Sequence, residues 1–334
     1  MTGIAQAYAS RPGLPEDNYI QPFAVEALDV RGRLVRIGPE LDRIIRRHGY
    51  PHSVSRLLAE AVALTALLGT SLKFDGRFIV QTQTDGAVSM LVVDFDTPDQ
   101  IRACARFDAE AVAALPEDAK PADLLGKGVL AMTIDQGPDM NRYQGVVALD
   151  GGTLEDAAHQ YFKQSEQIPT FVRLAAAEMF VAGKDPEWRA GGLLIQHLPE
   201  GGAAPRDIDP GDAPEGADAP QVEEDDHWRE ARFLSETVED HELTDPSVSS
   251  DALLYRLYHE RGVRVFEPLT LVERCRCNRE RVRDMLLSFT ADDVADMTRE
   301  DGMLEITCEF CSQAYEFKPS EIENPGTDEG GTSA

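Results

Sequence analysis

The stretch Phe78-Ile-Val-Gln-Thr-Gln83, followed across Asp85-Gly86 by Ala87-Val-Ser-Met-Leu-Val-Val-Asp-Phe95, decides the fold. Two β-rich runs flank an Asp-Gly pair, and that pair accepts the positive φ angles of a tight hairpin turn. Further strand-like runs lie at 101–107, 129–135, 145–149, 170–181 and 192–198. Their spacing suits hairpins and leaves little room for crossover helices. The segment 20–199 is therefore predicted to be an α+β domain with a mainly antiparallel sheet rather than a wound βαβ fold. Before the hairpin, Val54, Leu57, Leu58, Ala61, Leu64, Leu67 and Leu68 recur at helical spacing after Ser53, a capping residue type. They predict a helix over 54–72. A second helix is predicted over 154–165.

Downstream the composition changes. From Gly201 to about Asp226 the chain is rich in Gly, Ala, Pro and Asp, with no periodic apolar residue, as in a solvated connector. Between Asp207 and Asp245 stand 15 Asp or Glu against Arg229 and Arg232, so part of this stretch is expected to repel itself and stay loosely held. After Ser250, the stripe Leu253, Leu254, Leu257 and Tyr258 predicts a short amphipathic helix that needs a partner for its apolar face. That face packs on the first domain either permanently or only while the segment beyond it is folded.

Four of the five cysteines fall within 37 residues, as Cys275-Arg-Cys277 and Cys308-Glu-Phe-Cys311. Two short loops that each present a pair of thiolates can close into a tetrahedron around one zinc ion, with Zn–S bonds of about 2.3 Å. Short helices at 279–288 and 292–299 and strands at 303–307 and 314–317 complete the module, with the second cysteine pair on the turn between the strands. Fewer than about 60 residues bury too little apolar surface to fold with any margin, so the metal must contribute stability, on the order of 10–16 kcal/mol. Disulfides within each pair would close loops of three or four residues, worth about 2 kcal/mol each at most. They cannot replace the metal. Arg274, Arg276, Arg279 and Arg281 flank the first pair and are expected to favour thiolate. The expected organisation is 1–199, an N-terminal α+β domain; 200–268, a flexible and helical acidic linker; 269–325, a small zinc-binding domain; and 326–334, a disordered tail.

Charge and motif content exclude several classes. The chain has 60 acidic and 32 basic residues, a formal charge of −28, and residues 269–325 hold 13 acidic against 7 basic side chains. Phosphate backbones and anionic lipid are repelled, so neither nucleic acid nor membrane is an expected partner. No basic and apolar leader opens the chain, and the longest apolar run, 61–72, is a buried-helix length, so a cytoplasmic location is expected. No Gly-x-Ser-x-Gly elbow or Gly-x₄-Gly-Lys-Ser/Thr loop occurs, leaving hydrolase and ATPase readings without a starting residue. A catalytic zinc needs an open position that four thiolates do not leave. Cys104 reads as a small core residue, and His48 and His52, separated by Gly49 and Pro51, do not align as ligands. Three readings stay open: a redox switch, a thiol–disulfide oxidoreductase using Cys308 and Cys311, and a static zinc-ribbon interaction protein.

The motifs Arg274-Cys-Arg-Cys-Asn-Arg-Glu-Arg-Val282 and Asp301-Gly-Met-Leu-Glu-Ile-Thr-Cys-Glu-Phe-Cys311 resemble those of the redox-regulated holdase chaperones of the heat-shock protein 33 family. So do Tyr161-Phe-Lys-Gln-Ser-Glu-Gln-Ile-Pro-Thr170, Gly191-Gly-Leu-Leu-Ile-Gln196, Leu254-Tyr-Arg-Leu-Tyr-His-Glu260 and Val265-Phe-Glu-Pro268. The resemblance implies an ATP-independent chaperone, not an enzyme, that binds unfolding client proteins under oxidative stress through its N-terminal, dimerising domain. It implies one Zn²⁺ per chain in the reduced, inactive form, held by Cys275, Cys277, Cys308 and Cys311. The oxidised, active form carries disulfides Cys275–Cys277 and Cys308–Cys311 and is a homodimer. The Ala/Pro/Asp-rich insert near 200–222 and the strongly acidic linker depart from the family pattern.

Overall fold

A computed structural model describes residues 17–116, 119–137, 140, 142–180, 183, 185–198 and 225–322. Of the connector read from Gly201 to about Asp226, residues 201–224 lie outside the described residues, as does the tail at 326–334; Asp225 and Asp226 instead cap and open a helix. The chain forms two compact units, the first ending at Glu273 and the second beginning at Arg274.

In the first unit, strands β1 (Tyr19–Val25) and β2 (Val30–Ile37) form a hairpin, followed by helices α1 (Pro39–His48) and α2 (His52–Ser71). A meander follows of β3 (Arg77–Thr84), β4 (Val88–Asp96) and β5 (Gln100–Phe107), with short helices α3 (Ala109–Ala114) and α4 (Pro121–Leu125), then β6 (Lys127–Asp135) and β7 (Tyr143–Asp150). Helix α5 (Leu154–Tyr161) runs into a π-helical turn (Phe162–Glu166), after which come β8 (Thr170–Met179) and β9 (Glu187–His197). Past the connector are α6 (Asp226–Glu236), α7 (Asp240–Thr244), α8 (Ser250–Tyr258) and three two-residue strands, β10 (Arg264–Val265), β11 (Leu269–Thr270) and β12 (Val272–Glu273).

The strands make two sheets. The first has the order β10-β1-β2-β9-β8, with β11 also on β1; the second has the order β12-β5-β4-β3-β6-β7. Every pairing in them is antiparallel except the short β12 on β5. The Asp85-Gly86 hairpin forms as predicted, and its turn is docked: Asp85 N–H donates to Lys127 O at 2.8 Å and Gly86 N–H to Leu125 O at 3.1 Å.

Helix α2 lies in the core that both sheets share. Leu57, Leu64 and Leu67 join Val35, Ile37 and Leu194 of the first sheet and Val80, Leu91, Phe95 and Ile101 of the second. A helix apolar on all sides must be buried on all sides. By length and apolar composition α2 would also suit a membrane span, but it is largely buried inside the unit. Its cap is Pro51, at φ −53° and ψ 150°, rather than the predicted Ser53, which sits in the first turn. The ring of Pro51 already holds the capping geometry there.

The opposite face of the first sheet carries a second core. Phe23, Leu34, Leu193 and Ile195 alternate outward from the strands and are covered by Trp228, Ala231, Leu243, Leu253, Leu254 and Tyr258. The acidic stretch to Asp245 is thus not loosely held over its described part. Trp228, Ala231 and Val238 form a buried stripe that the high charge count conceals. Neighbouring glycines thin the sheet on both sides. A Cβ on Gly191 would lie 2.2 Å from Leu243 O, and one on Gly192 would lie 2.9 Å from Leu67 Cδ1.

Polar contacts lock the cover in place. Arg36 is 2% exposed and donates to Glu242 O (3.1 Å) and Asp245 O, while Arg189 donates to Thr244 O (2.8 Å) and pairs with Asp17. Two guanidinium groups therefore meet the carbonyl end of α7, where the helix dipole favours cations. Tyr19 Oη and Ser250 Oγ lie 2.7 Å apart, as do Tyr258 Oη and Ser235 Oγ.

Candidate metal centre

The second unit is small. Helix α9 (Arg279–Leu286), helix α10 (Ala291–Asp296) and the hairpin of β13 (Leu304–Thr307) and β14 (Ala314–Phe317) surround a core whose fully buried members are Leu286, Leu304, Phe317 and Ile322. Residues 269–273, predicted to open this module, instead supply β11 and β12 to the two sheets of the first unit. There Glu273 accepts a bidentate pair from Arg47 at 2.9 and 3.0 Å.

Two loops carry the sulfurs. Cys275 and Cys277 precede α9, whose first turn is capped by Asn278 Oδ1 accepting from Arg281 N–H at 2.8 Å. Cys308 and Cys311 sit on the turn between β13 and β14. That turn closes through Ser312 N–H to Cys308 O (2.8 Å) and Cys308 N–H to Gln313 O (3.0 Å), with Ser312 at φ +54°. The N–H groups of Phe310 and Cys311 point at the Cys308 sulfur, and that of Gln313 at the Cys311 sulfur. Peptide dipoles aimed this way stabilise sulfur as an anion.

The four sulfurs lie within 4.8 Å of one another, with Cys275 Sγ 3.7 Å from Cys308 Sγ and Cys277 Sγ 3.2 Å from Cys311 Sγ. A tetrahedron with Zn–S bonds of about 2.3 Å has edges of about 3.8 Å. The spacing and the purely thiol donor set fit zinc, in the closed four-sulfur form. Burial pushes the Cys308 thiol up, with Cys275 adding to the effect, and burial likewise raises Cys311. A divalent cation reverses that balance and makes four adjacent thiolates compatible.

One contact of the cluster was not legible in the sequence. Tyr315 Oη donates to Cys277 Sγ at 3.1 Å, and that bond is the main reason the phenol is raised. Only the position of Tyr315 on the strand after the knuckle hinted at it. The arginines expected to favour thiolate are partly engaged elsewhere: Arg279 lies over the Phe317 ring at 4.3 Å and bonds Glu321 at 2.7 Å, and Arg281 donates to Arg276 O at 3.0 Å. Away from the cluster, Cys104 is buried in β5, His48 stacks on Tyr50 at 4.6 Å, and His52 packs on Trp188 at 4.9 Å. Glu166 accepts from Tyr161 Oη at 2.8 Å and helps close the π-turn, which takes the place of the predicted last turn of helix 154–165.

An α+β first unit whose sheet is covered by its own downstream helices, joined to a small module with four clustered cysteines, defines the class. Residues 18–318 match the family described as Hsp33 protein. The chain is 46% identical over 306 residues to the 33 kDa chaperonin of Caulobacter vibrioides, covering 91% of this chain and 95% of that one. It is 36% identical over 314 residues to the 33 kDa chaperonin of Pseudomonas fluorescens, covering 92% and 93%. The crystal structure of the 33 kDa chaperonin (heat shock protein 33 homolog) of Thermotoga maritima matches with a TM-score of 0.72 over 91% of this chain and 96% of that one, at 20% identity, a likeness of fold. The chain belongs to the Hsp33 family.

Proposed function

We propose that this protein is a chaperone that holds unfolding polypeptides without ATP, silent when its cysteines are reduced and metal-bound and active when they are oxidised. The observation that carries this reading is the covered apolar face of the first sheet, Phe23, Leu34, Leu193 and Ile195, lying under helices that lead directly in sequence to the cysteine module. Only Arg274 separates Glu273, the end of β12, from Cys275.

Cys275, Cys277, Cys308 and Cys311 are assigned as the ligands of one Zn²⁺ per chain. When bound, the ion supplies the charge that keeps four thiolates together. Tyr315 orients the Cys277 sulfur, and the amides of Phe310, Cys311 and Gln313 orient the other pair. The module's apolar core is too small to fold alone. In net terms, each pair of thiols that becomes a disulfide gives up two electrons and two protons, and one hydrogen peroxide takes them up to leave as two waters. Two bridges of about 2 kcal/mol each do not replace a metal contribution on the order of 10–16 kcal/mol. The module unfolds, the cover formed by α6 to α8 loosens behind it, and the apolar face meets clients. The oxidised chain is assigned as the dimer.

The test is aggregation of a chemically denatured client with reduced and with peroxide-treated protein. Suppression by the oxidised form alone supports the switch, whereas zinc retained one per chain after oxidation, with equal activity in both forms, favours a static ribbon.

A further inference from the structure

A trough lies at the hairpin end of the first sheet. Strand register places Arg31, Ala24 and Arg264 in one row across β2, β1 and β10. The next row pairs Arg33 with Pro22, and Phe266 sits beside Pro22 through an N–H···O bond of 3.0 Å. Paired residues of antiparallel strands project from the same face, so small residues form a floor between two walls of long side chains. The result is an open cavity of about 770 Å³, with Leu198 also in its lining.

Its charge is unbalanced. Glu26 and Asp29 also line it, but Glu26 pairs with Arg264 at 3.2 Å and Asp29 lies 3.5 Å from His227 Nδ1. Among the described residues, Arg33 Nε is buried with no hydrogen-bond partner. Burial holds the Arg33 guanidinium down at about 10, with no neighbouring anion to oppose the shift. A largely buried cation without a counter-ion is costly, and a bound anion removes the cost.

From these side chains we infer that the trough is a binding site for a compact phosphate-class polyanion, with Arg33 as its central contact and Arg31 at its rim. Guanidinium groups two residues apart on one strand face stand about 7 Å apart at their bases and can converge on one tetrahedral or doubly tetrahedral oxyanion through paired N–H donors. The anion comes either free, as an oligophosphate, or as the diphosphate of a nucleotide, whose base could lie on Phe266, already faced by Arg264 at 5.1 Å.

The test is calorimetric titration of the reduced, zinc-loaded full chain with inorganic pyrophosphate and, separately, with ADP, in phosphate-free buffer at low salt. Saturable one-to-one binding is expected, weakened at least tenfold by Arg33→Gln and retained in Arg106→Gln, a charge-matched change in β5. Equal affinity for the two probes assigns the free anion, and tighter ADP assigns the nucleotide. Arg33→Gln removes an uncompensated charge and is expected to raise the melting temperature without ligand while abolishing the upward shift that pyrophosphate produces in the unmodified chain. No saturable binding of either probe at millimolar concentration, or equal weakening by Arg33→Gln and Arg106→Gln, overturns the assignment.

Discussion

Replacing Tyr258 tests directly whether the downstream helices are a cover held by packing. Tyr258 is fully buried; its ring stacks on Phe23 with centroids 5.7 Å apart, and its hydroxyl meets Ser235 Oγ at 2.7 Å, tying α8 to both the sheet and α6. Tyr258→Phe removes one buried hydrogen bond, while Ser235 keeps its 2.7 Å bond to Ala231 O, so the loss is about 1 kcal/mol. Tyr258→Ala removes the ring as well and leaves a cavity over Phe23, costing about 3–5 kcal/mol. If α6 to α8 open as a unit, that cost appears as a rise of roughly two to four powers of ten in the open population. The assay is amide hydrogen exchange on the reduced, zinc-loaded protein. Amides of 226–258 are expected to exchange faster in the order Ala, Phe, unmodified, while amides of α2 and of β3 to β6 keep their protection. Reduced Tyr258→Ala protein is also expected to suppress client aggregation in part. Uniform acceleration across the first unit would show that the helices are an inseparable part of its core rather than a cover that opens by itself.

Gly191→Ala places a methyl 2.2 Å from the backbone oxygen of Leu243, so α7 must shift, and denaturant unfolding should report a loss of about 1–3 kcal/mol. The same change at Gly192 meets mainly flexible side-chain ends, Leu67 Cδ1 at 2.9 Å and Leu174 Cδ2 at 3.0 Å, and should cost less. Burial in α2 pushes the Glu60 carboxyl up to about 7 from its ordinary 4.5. A carboxyl raised on folding stabilises fully below the unfolded value and loses that contribution as pH rises from 4.5 through about 7, here at most about 3 kcal/mol. Glu60→Gln should flatten the stability profile over that window in paired melts. Removing zinc with a chelator under reducing conditions, or changing Cys277→Ser, should abolish the near-ultraviolet signal of the second unit and leave the secondary structure of the β3–β6 sheet intact by circular dichroism.

Legibility in the sequence followed physical simplicity. The β3–β4 hairpin and α2 stood out because a turn dipeptide and an uninterrupted apolar periodicity act locally. The cysteine cluster was visible because ligand spacing is itself the chemistry. Strands β1 and β2 escaped notice since the alternation over Val30–Leu34 is short and ends at the buried Arg36, and since the sheet is covered on both faces over much of its area. The acidic count over 207–245 hid α6 and α7, whose burial depends on distant partners such as Leu193 and Arg36. Nothing local marks Arg36 as a buried residue, because its partners are carbonyls some 200 positions away.

The proposed switch requires that loss of electrons at the cysteines free the zinc and uncover the sheet. The most direct measurement is zinc released and thiols remaining, followed together with client aggregation, as peroxide is added at raised temperature. The chain has five cysteines, so zinc is expected to fall from one per chain to none and the thiol count to the single Cys104, in step with the onset of aggregation suppression. Full thiol loss with zinc still bound, or zinc loss without any gain in suppression, contradicts it.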